Sequence, residues 1–233
     1  LNFINSFLLN ISMTLEKGDF IEIEMTISSD GKVFDTTDKE LAKKHGLQAA
    51  GNKKVVFGNN MLLPKVEEKL KDAKENEEFS MHLTVEDAFG PKKKDLFQTY
   101  PEKVFKEQNL RIVVGQIYNF DGNYGKVKSA SRGRVLIDFN HPLAGKEVDI
   151  SCSLVRKITN IKDKVETTLL VLIGLSEENC KVEMKDTTIT IQVPKQLAQM
   201  DQMLQGALNE QLGDEIKDYT IKIIELPEKN NSQ

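Results

Sequence analysis

The sequence predicts an α+β protein in which a small β-rich segment interrupts an antiparallel sheet domain and a second α+β unit follows. Three observations carry this. Apolar and polar residues alternate with period two from Asp19 to Ile27 and continue into Lys32-Val33-Phe34-Asp35 through the turn Ser28-Ser29-Asp30-Gly31, which marks a hairpin. At Lys92-Lys93-Lys94 the composition changes, and short strand runs about the glycine turn Asp121-Gly122-Asn123 fill the chain until the earlier pattern resumes at Asp138. Beyond Lys157 the periodicities read helix, strand, strand, helix, strand.

The remaining elements follow in order. A polar helix is expected over Asp38–His45 and a strand over Lys54–Phe57, turned by Gly58-Asn59-Asn60. Pro64 opens a short helix to Leu70, because a residue without an N–H suits the first helical turn, and Val66 and Leu70, four apart, share a face. In the strand Glu78–Val85, Phe79, Met81, Leu83 and Val85 share a face. The interrupting segment is expected to hold strands at Arg111–Val114 and Gln116–Phe120 and a strand pair around Lys126 and Val135. The strand Val148–Val155 closes the first sheet. In the last unit a helix over Lys162–Leu172 precedes strands Lys181–Met184 and Thr188–Val193. One helix then runs from Pro194 to Gly213, with Leu197, Met200, Leu204, Ala207, Leu208 and Leu212 at three- and four-residue spacing, before a strand over Tyr219–Leu226.

With 39% hydrophobic and 29% charged residues, the 233-residue chain is ordinary for a globular protein and long enough to bury a core. Residues 1–156 carry 23 basic and 23 acidic side chains and residues 157–233 carry 9 and 13, so no basic face for nucleic acid is expected. Cys152 and Cys180 lie outside any Cys-x-x-Cys or Cys/His cluster and read as reduced thiols of a cytoplasmic protein. His45, His82 and His141 are dispersed, so neither a metal site nor a cofactor is expected. Residues 1–12 are apolar but hold three asparagines and lack a basic start and a small-residue cleavage site. They are expected to be an arm or extension ahead of Met13, not a signal peptide. No run of about 18 apolar residues suggests a membrane span.

Four segments carry a family resemblance. Val33-Phe34-Asp35-Thr36-Thr37, Phe57-Gly58 through Leu62-Leu63-Pro64, Ala88-Phe89-Gly90, and Asp138-Phe139-Asn140-His141-Pro142-Leu143-Ala144-Gly145-Lys146 are similar, in order and spacing, to FKBP-type peptidyl-prolyl cis-trans isomerases of the SlyD-like branch. The last is the most specific. The resemblance spans residues 17–156, and the C-terminal unit resembles the extension of the long archaeal members. It implies a bent antiparallel sheet wrapped on the Pro64–Leu70 helix, with an insert replacing the flap over the pocket. The implied domains are a catalytic one at 13–92 and 133–156, an insert-in-flap polypeptide-binding domain at 93–132 and a C-terminal α+β domain at 157–233.

The resemblance also implies a site. Phe34 would form a wall and Asp35 would face the twisting amide; Leu62 and Leu63 would form an aliphatic floor, and Phe89 replaces a usual tyrosine. Met25, Val66 and Ile150 stand where the family commonly has aromatic residues, and complete the implied substrate-binding set. Each hydrogen bond lost with a missing hydroxyl costs about 0.5–1.5 kcal/mol, so a modest isomerase is implied. The chemistry needs no nucleophile. Rotation about an X-Pro bond meets a barrier of about 18–20 kcal/mol from amide resonance, and an apolar pocket that desolvates the planar, charge-separated form lowers it.

Plainer readings stand beside these. Phe34, Leu62, Leu63, Val66 and Ile150 would suit the core of any β protein, Asp35 could cap the turn at Thr36-Thr37, and His141 reads as a residue fixing its turn. In the insert, Tyr100, Phe105, Val113, Val114, Ile117, Tyr118 and Phe120 could hold an unfolded polypeptide, as the resemblance implies, or fill the insert's own core. The expected partners are unfolded or proline-containing polypeptides, with neither nucleic acid nor membrane, and a homodimer through the C-terminal domain. The rival functions are a non-catalytic holdase and a dimerising scaffold.

Overall fold

The computed structural model describes residues 14–48, 51–175 and 179–226; the N-terminal residues 1–12 of the expected arm lie outside them. The chain begins with the hairpin β1 (Phe20–Ser29) and β2 (Lys32–Thr36), followed by α1 (Lys39–His45), capped by the Asp38 carboxylate, and β3 (Lys53–Val56). Helix α2 (Pro64–Leu70) has proline in its first turn and buries Val66 and Leu70, and β4 (Glu78–Leu83) follows. Then come β5 (Phe97–Pro101), α3 (Glu102–Glu107), β6 (Ile117–Phe120), β7 (Asn123–Ser131), β8 (Arg134–Asp138) and β9 (Val148–Lys157). The C-terminal elements are α4 (Ile161–Ile173), β10 (Lys181–Lys185), β11 (Thr188–Val193), α5 (Lys195–Ala198), α6 (Asp201–Leu212) and β12 (Thr220–Glu225). Three sheets result, ordered β2-β1-β9-β4 with β3 beside β1, β5-β8-β7-β6, and β10-β11-β12.

Two compact units divide the chain. One holds the residues up to Thr26, Asp35–Phe79 and everything from Ser151; the other holds Ile27–Phe34 and Ser80–Ile150.

In the first unit, β1 opens with Phe20 and Ile21, neighbours that point to opposite faces of a strand, and both are buried. The sheet is therefore covered on both sides at this end. Phe20 and Val56 belong to one apolar cluster with Ile158, Val165, Leu169, Ile189, Ile191, Leu204 and Leu208, which joins β1 and β3 to the C-terminal elements. Polar groups reinforce the junction: Arg156 bonds Glu22 at 2.7 Å and Asp163 at 3.1 Å, Lys157 bonds Asp19 at 2.7 Å, and the Ile158 N–H donates to the Phe20 carbonyl at 2.7 Å. Within α4 the buried hydroxyls of Thr167 and Thr168 donate to the carbonyls four residues back, so their burial leaves no donor unpaired.

The single helix expected over Pro194–Gly213 is two. Met200 leaves the helical region at φ −100°, ψ 32°, and its carbonyl accepts from Met203 and Leu204, starting α6 afresh. Met200 is exposed although its spacing matches the buried Leu204 and Leu208, and Met203, off that spacing, is exposed as well.

In the second unit, β5-β8-β7-β6 forms a sheet of its own, with Phe97 opposite Asp138 at its open end. Its core is Phe105, Tyr118, Val127, Val135 and Ile137, flanked by the rings of Tyr100, Phe120 and Phe139. At Gly125 neighbouring side chains press on the backbone: a Cβ there would lie 2.3 Å from Ile137 Cγ2 and 2.7 Å from the Phe139 ring, so only glycine fits. The strand expected over Arg111–Val114 is absent. Its first carbonyl accepts from the Tyr118 hydroxyl and Val113 closes a turn with Gln116, so the run spends its backbone groups outside a ladder. In its neighbourhood stands α3, a helix that the sequence reading passes over, supported by Glu102–Lys106 and Lys103–Glu107 pairs at 3.1 and 3.5 Å.

Candidate active site

The Phe34-Asp35 pair sits near the end of β2, and the two threonines that follow hold that end in place. The Thr37 N–H donates to the Met25 carbonyl at 2.9 Å and the Met25 N–H donates to Thr37 Oγ1 at 2.9 Å. The buried Thr36 hydroxyl lies 2.8 Å from that of Thr26 and accepts from the Asp38 N–H at 3.2 Å. Capping of α1 falls to Asp38, whose carboxylate accepts from the N–H groups of Glu40 and Leu41. Asp35 thus has no part in capping the turn. Its carboxylate is exposed and makes no hydrogen bond or ion pair among the described residues.

The other expected site residues of the first unit come from β1, from the segment leading into α2 and from α2 itself. Met25, Leu62 and Val66 are buried, and Leu63, half-buried, precedes α2 with its carbonyl accepting from Val66 and Glu67. In the second unit, Phe34 is half-buried with the ammonium groups of Lys32 and Lys146 at 5.6 and 5.3 Å from its ring centre, Lys146 being held by Asp30 at 3.0 Å. Ile150 is fully buried in β9, and Phe89 is half-buried at the turn after β4. The first unit therefore holds Met25, Asp35, Leu62, Leu63 and Val66, and the second Phe34, Phe89 and Ile150.

Phe89 lies just ahead of a clasp that sequence reading did not find. Lys92 Nζ meets the buried Asp138 carboxylate at 2.6 Å; the Lys93 N–H donates to Asn140 Oδ1 at 2.7 Å, while Asn140 Nδ2 donates back to the Lys93 carbonyl at 3.1 Å. The Gly145 N–H donates to the Gly90 carbonyl at 2.8 Å. Lys92 and Lys93 are thus engaged partners at the entry to the insert. Burial alone would raise the Asp138 carboxyl, but hydrogen bonds from Lys92 and Asn140 outweigh it and hold the group below its ordinary value. The sign follows: a carboxyl depressed in the folded state stabilises in full above its unfolded value of about 4, and that stability is lost as pH falls through the lower folded value. Asp138→Asn is therefore expected to be less stable than wild type at pH 6 and to converge with it in urea unfolding below about pH 4; a difference that persists undiminished into acid would remove the carboxylate's role.

The insert sorts its apolar residues clearly. Phe105 and Tyr118 are buried and packed edge-on at 5.7 Å, and Tyr100 stacks on Phe120 at 5.1 Å, so these residues come together. Val113 and Ile117 stay outside, at 41% and 54% exposure, joined there by Val114 and by two residues that sequence reasoning passed over, Leu110 and Tyr124. A cavity of about 320 Å³ opens at Tyr124, lined also by Leu96, Gln98, Tyr100, Phe120 and Phe139. Burial pushes the Cys152 thiol up to about 12 and, with Glu166 adding to it, Cys180 up to about 11, so neither offers a thiolate nucleophile at neutral pH.

Mainly antiparallel sheets, with a parallel pair only between β11 and β12 among the pairs described, and few helices make an α+β architecture consistent with an FKBP-like fold. Comparison with known proteins agrees. The family model "FKBP26, IF domain" matches residues 98–143. The chain is 28% identical over 138 residues to the short-type peptidyl-prolyl cis-trans isomerase of Methanocaldococcus jannaschii, covering 58% of this chain and 88% of the relative. It is 29% identical over 167 residues to the FKBP-type isomerase SlyD of Treponema pallidum, covering 69% and 87%. It is 32% identical over 101 residues to a probable FKBP-type 16 kDa isomerase of Pseudomonas fluorescens, covering 42% and 67%. The chain belongs to the FKBP-type peptidyl-prolyl cis-trans isomerase family and is an isomerase. No helix among the described residues is long and apolar enough to cross a membrane.

Proposed function

We propose that the chain isomerises X-Pro bonds in unfolded or partly folded polypeptides, that Phe34, Asp35, Leu62, Leu63 and Phe89 form its catalytic set with Met25, Val66 and Ile150 completing the substrate contacts, and that the insert holds the polypeptide. In this reading the catalytic domain is formed by 13–92 and by the chain from the end of the insert to 156. The insert centres on the sheet from Phe97 to Asp138, and the C-terminal unit begins at 157. The observation that carries the site is Asp35: a carboxylate next to Phe34, fixed by Thr36 and Thr37, with no structural task among the described residues. The family supports the activity, and this unengaged carboxylate supports the location.

The exposed Val113, Val114, Ile117 and Tyr124 support a polypeptide-holding role for the insert, because its core is complete without them, and Tyr124 also borders an aromatic cavity. Phe105 and Tyr118, buried in that core, act by shaping the surface rather than by touching a client.

Asp35→Ala and Phe34→Ala are each expected to lower turnover of a short X-Pro peptide about tenfold, equivalent to ~1.4 kcal/mol in the barrier, with the circular dichroism spectrum unchanged. Because rotation moves no proton, the wild-type rate is expected to be flat from about pH 6 to 9. Wild-type rates in both folded variants would place the site elsewhere, and a bell-shaped profile centred near neutrality would replace bond rotation with acid-base chemistry.

A further inference from the structure

Phe89 has no hydroxyl with which to anchor its ring, and it projects from a turn closed by the backbone bonds of Ala88 N–H to the Thr84 carbonyl and Gly90 N–H to the Val85 carbonyl and by bonds between Thr84 and Asp87, none of which holds the ring itself. Something else must set the plane of the ring. His141 lies flat on it, with ring centres 4.2 Å apart and planes within 7°. The imidazole is itself locked. Nδ1 accepts from the Leu143 N–H at 3.2 Å and the His141 carbonyl accepts from the Ala144 N–H at 2.9 Å, while the neighbouring Asn140 is tied to Lys93. With Nδ1 an acceptor, the ring is the neutral tautomer protonated at Nε2.

We infer that His141 is a positioning residue for peptidyl-prolyl isomerisation, acting through the ring of Phe89. The inference rests on the reading that Phe89 belongs to the site. Stacked rings prefer offset, near-parallel or edge-on arrangements, and this one is clamped from one side by a residue that its own turn immobilises. Removing His141 frees the ring to turn about its Cβ–Cγ bond and to leave the orientation that a substrate proline meets. The loss falls on how well the peptide is held and twisted, not on a proton.

The same geometry makes the device sensitive to acid. A second proton on imidazole would sit on Nδ1, facing the Leu143 N–H, so that two donors oppose each other and the turn that carries His141 loosens. No carboxylate or ammonium among the described residues bonds or pairs with the ring. The groups that face it are the Phe89 ring and the Leu143 N–H, and the charges on the adjoining segments, Asp138 and Lys92, are engaged with one another. Although His141 is exposed as a residue, the desolvation it does undergo lowers its pKa, so the transition lies below the ordinary histidine range.

The test uses the full chain and a short X-Pro peptide. His141→Ala is expected to reduce kcat/KM about three- to tenfold, and His141→Phe, which keeps a flat ring without a titrating nitrogen, to restore most of it. In the Phe89→Ala background, His141→Ala is expected to have no further effect. Wild-type activity is expected to fall as pH drops below the ordinary histidine range while His141→Phe stays flat there. Failure of the aromatic replacement to rescue, or an undiminished effect of His141→Ala when Phe89 is already truncated, would overturn positioning through the ring. Should Phe89→Ala alone leave kcat/KM unchanged in a folded protein, the assignment of Phe89 to the site fails and the inference goes with it. A loss from His141→Ala in a chain whose Phe89→Ala variant is impaired, and only there rescued by phenylalanine, supports the inference.

Discussion

Excising Lys94–Ile137 and joining Lys93 to Asp138 through two glycines is expected to leave isomerisation of an X-Pro tetrapeptide within about twofold of wild type while slowing catalysed refolding of a whole protein about a hundredfold. The boundaries are set by the clasp: the cut removes β5 to β8 up to Ile137 but keeps Lys92 with Asp138 and Lys93 with Asn140, so the parent turn retains its pairs. The insert's core of Phe105, Tyr118, Val127, Val135 and Ile137 leaves as a whole. A tetrapeptide can use only the proline site, whereas an unfolded chain held also by Val113, Val114, Ile117 and Tyr124 reaches that site at a high effective concentration, and linked sites raise apparent affinity by 10²–10⁴ in favourable cases. If both substrates slowed equally in a folded variant, the insert would be part of the catalytic machinery; if neither slowed, its polypeptide-holding role would be withdrawn.

Ending the chain at Lys157 is expected to abolish the stable fold of the remaining sheet. The cut removes the C-terminal members of the cluster that cover Phe20 and Val56, the Ile158 N–H bond to the Phe20 carbonyl and the Asp163 partner of Arg156. Burying a phenylalanine or valine side chain is worth about 1.5–3 kcal/mol, so uncovering Phe20 and Val56 costs a large share of a typical stability of about 5–15 kcal/mol. A gentler version keeps the whole chain: Leu169→Ala is expected to cost about 2–5 kcal/mol. Urea unfolding followed at β1 and at α6 should then shift both transitions together. A truncated chain with the wild-type midpoint, or a Leu169→Ala variant in which only α6 melts early, would show that β1 and β3 do not depend on the C-terminal cluster.

Local signals made much of this fold legible. The turn Asp30-Gly31 produced the β1–β2 hairpin, Pro64 marked the first turn of α2, and the order of elements after Lys157 is as the periodicities predict. Where signals were short or ambiguous, reading failed for identifiable reasons. Helix α3 has six residues, too few for a period of 3.6 to show, and Arg111–Val114 has strand composition but gives its backbone to a turn and to the Tyr118 hydroxyl. Apolar spacing runs on from Leu197 through Met200 to Leu204 across the break between α5 and α6, so the break leaves no trace in sequence. For the proposed site, the motifs supply the candidate residues, but only geometry shows that Asp38 rather than Asp35 caps α1 and that His141 lies against Phe89. The Phe20-Ile21 pair was an unread hint: two adjacent apolar residues on a strand call for cover on both faces.

The pairing of Phe97 with Asp138 bears on how such an insertion can be carried at all. A disordered loop of this length would burden the host sheet with closure entropy, about 2 kcal/mol more than a four-residue turn on a (3/2)RT ln n scaling. Because the insert's first and last strands are hydrogen-bonded neighbours, the host meets only the short distance between Lys93 and Asn140, already bridged by their mutual bonds. To the parent chain the whole four-stranded sheet is thermodynamically a hairpin connection. A module attached in that way can be lengthened, shortened or exchanged for another with little effect on its host, provided its replacement also brings its two ends together.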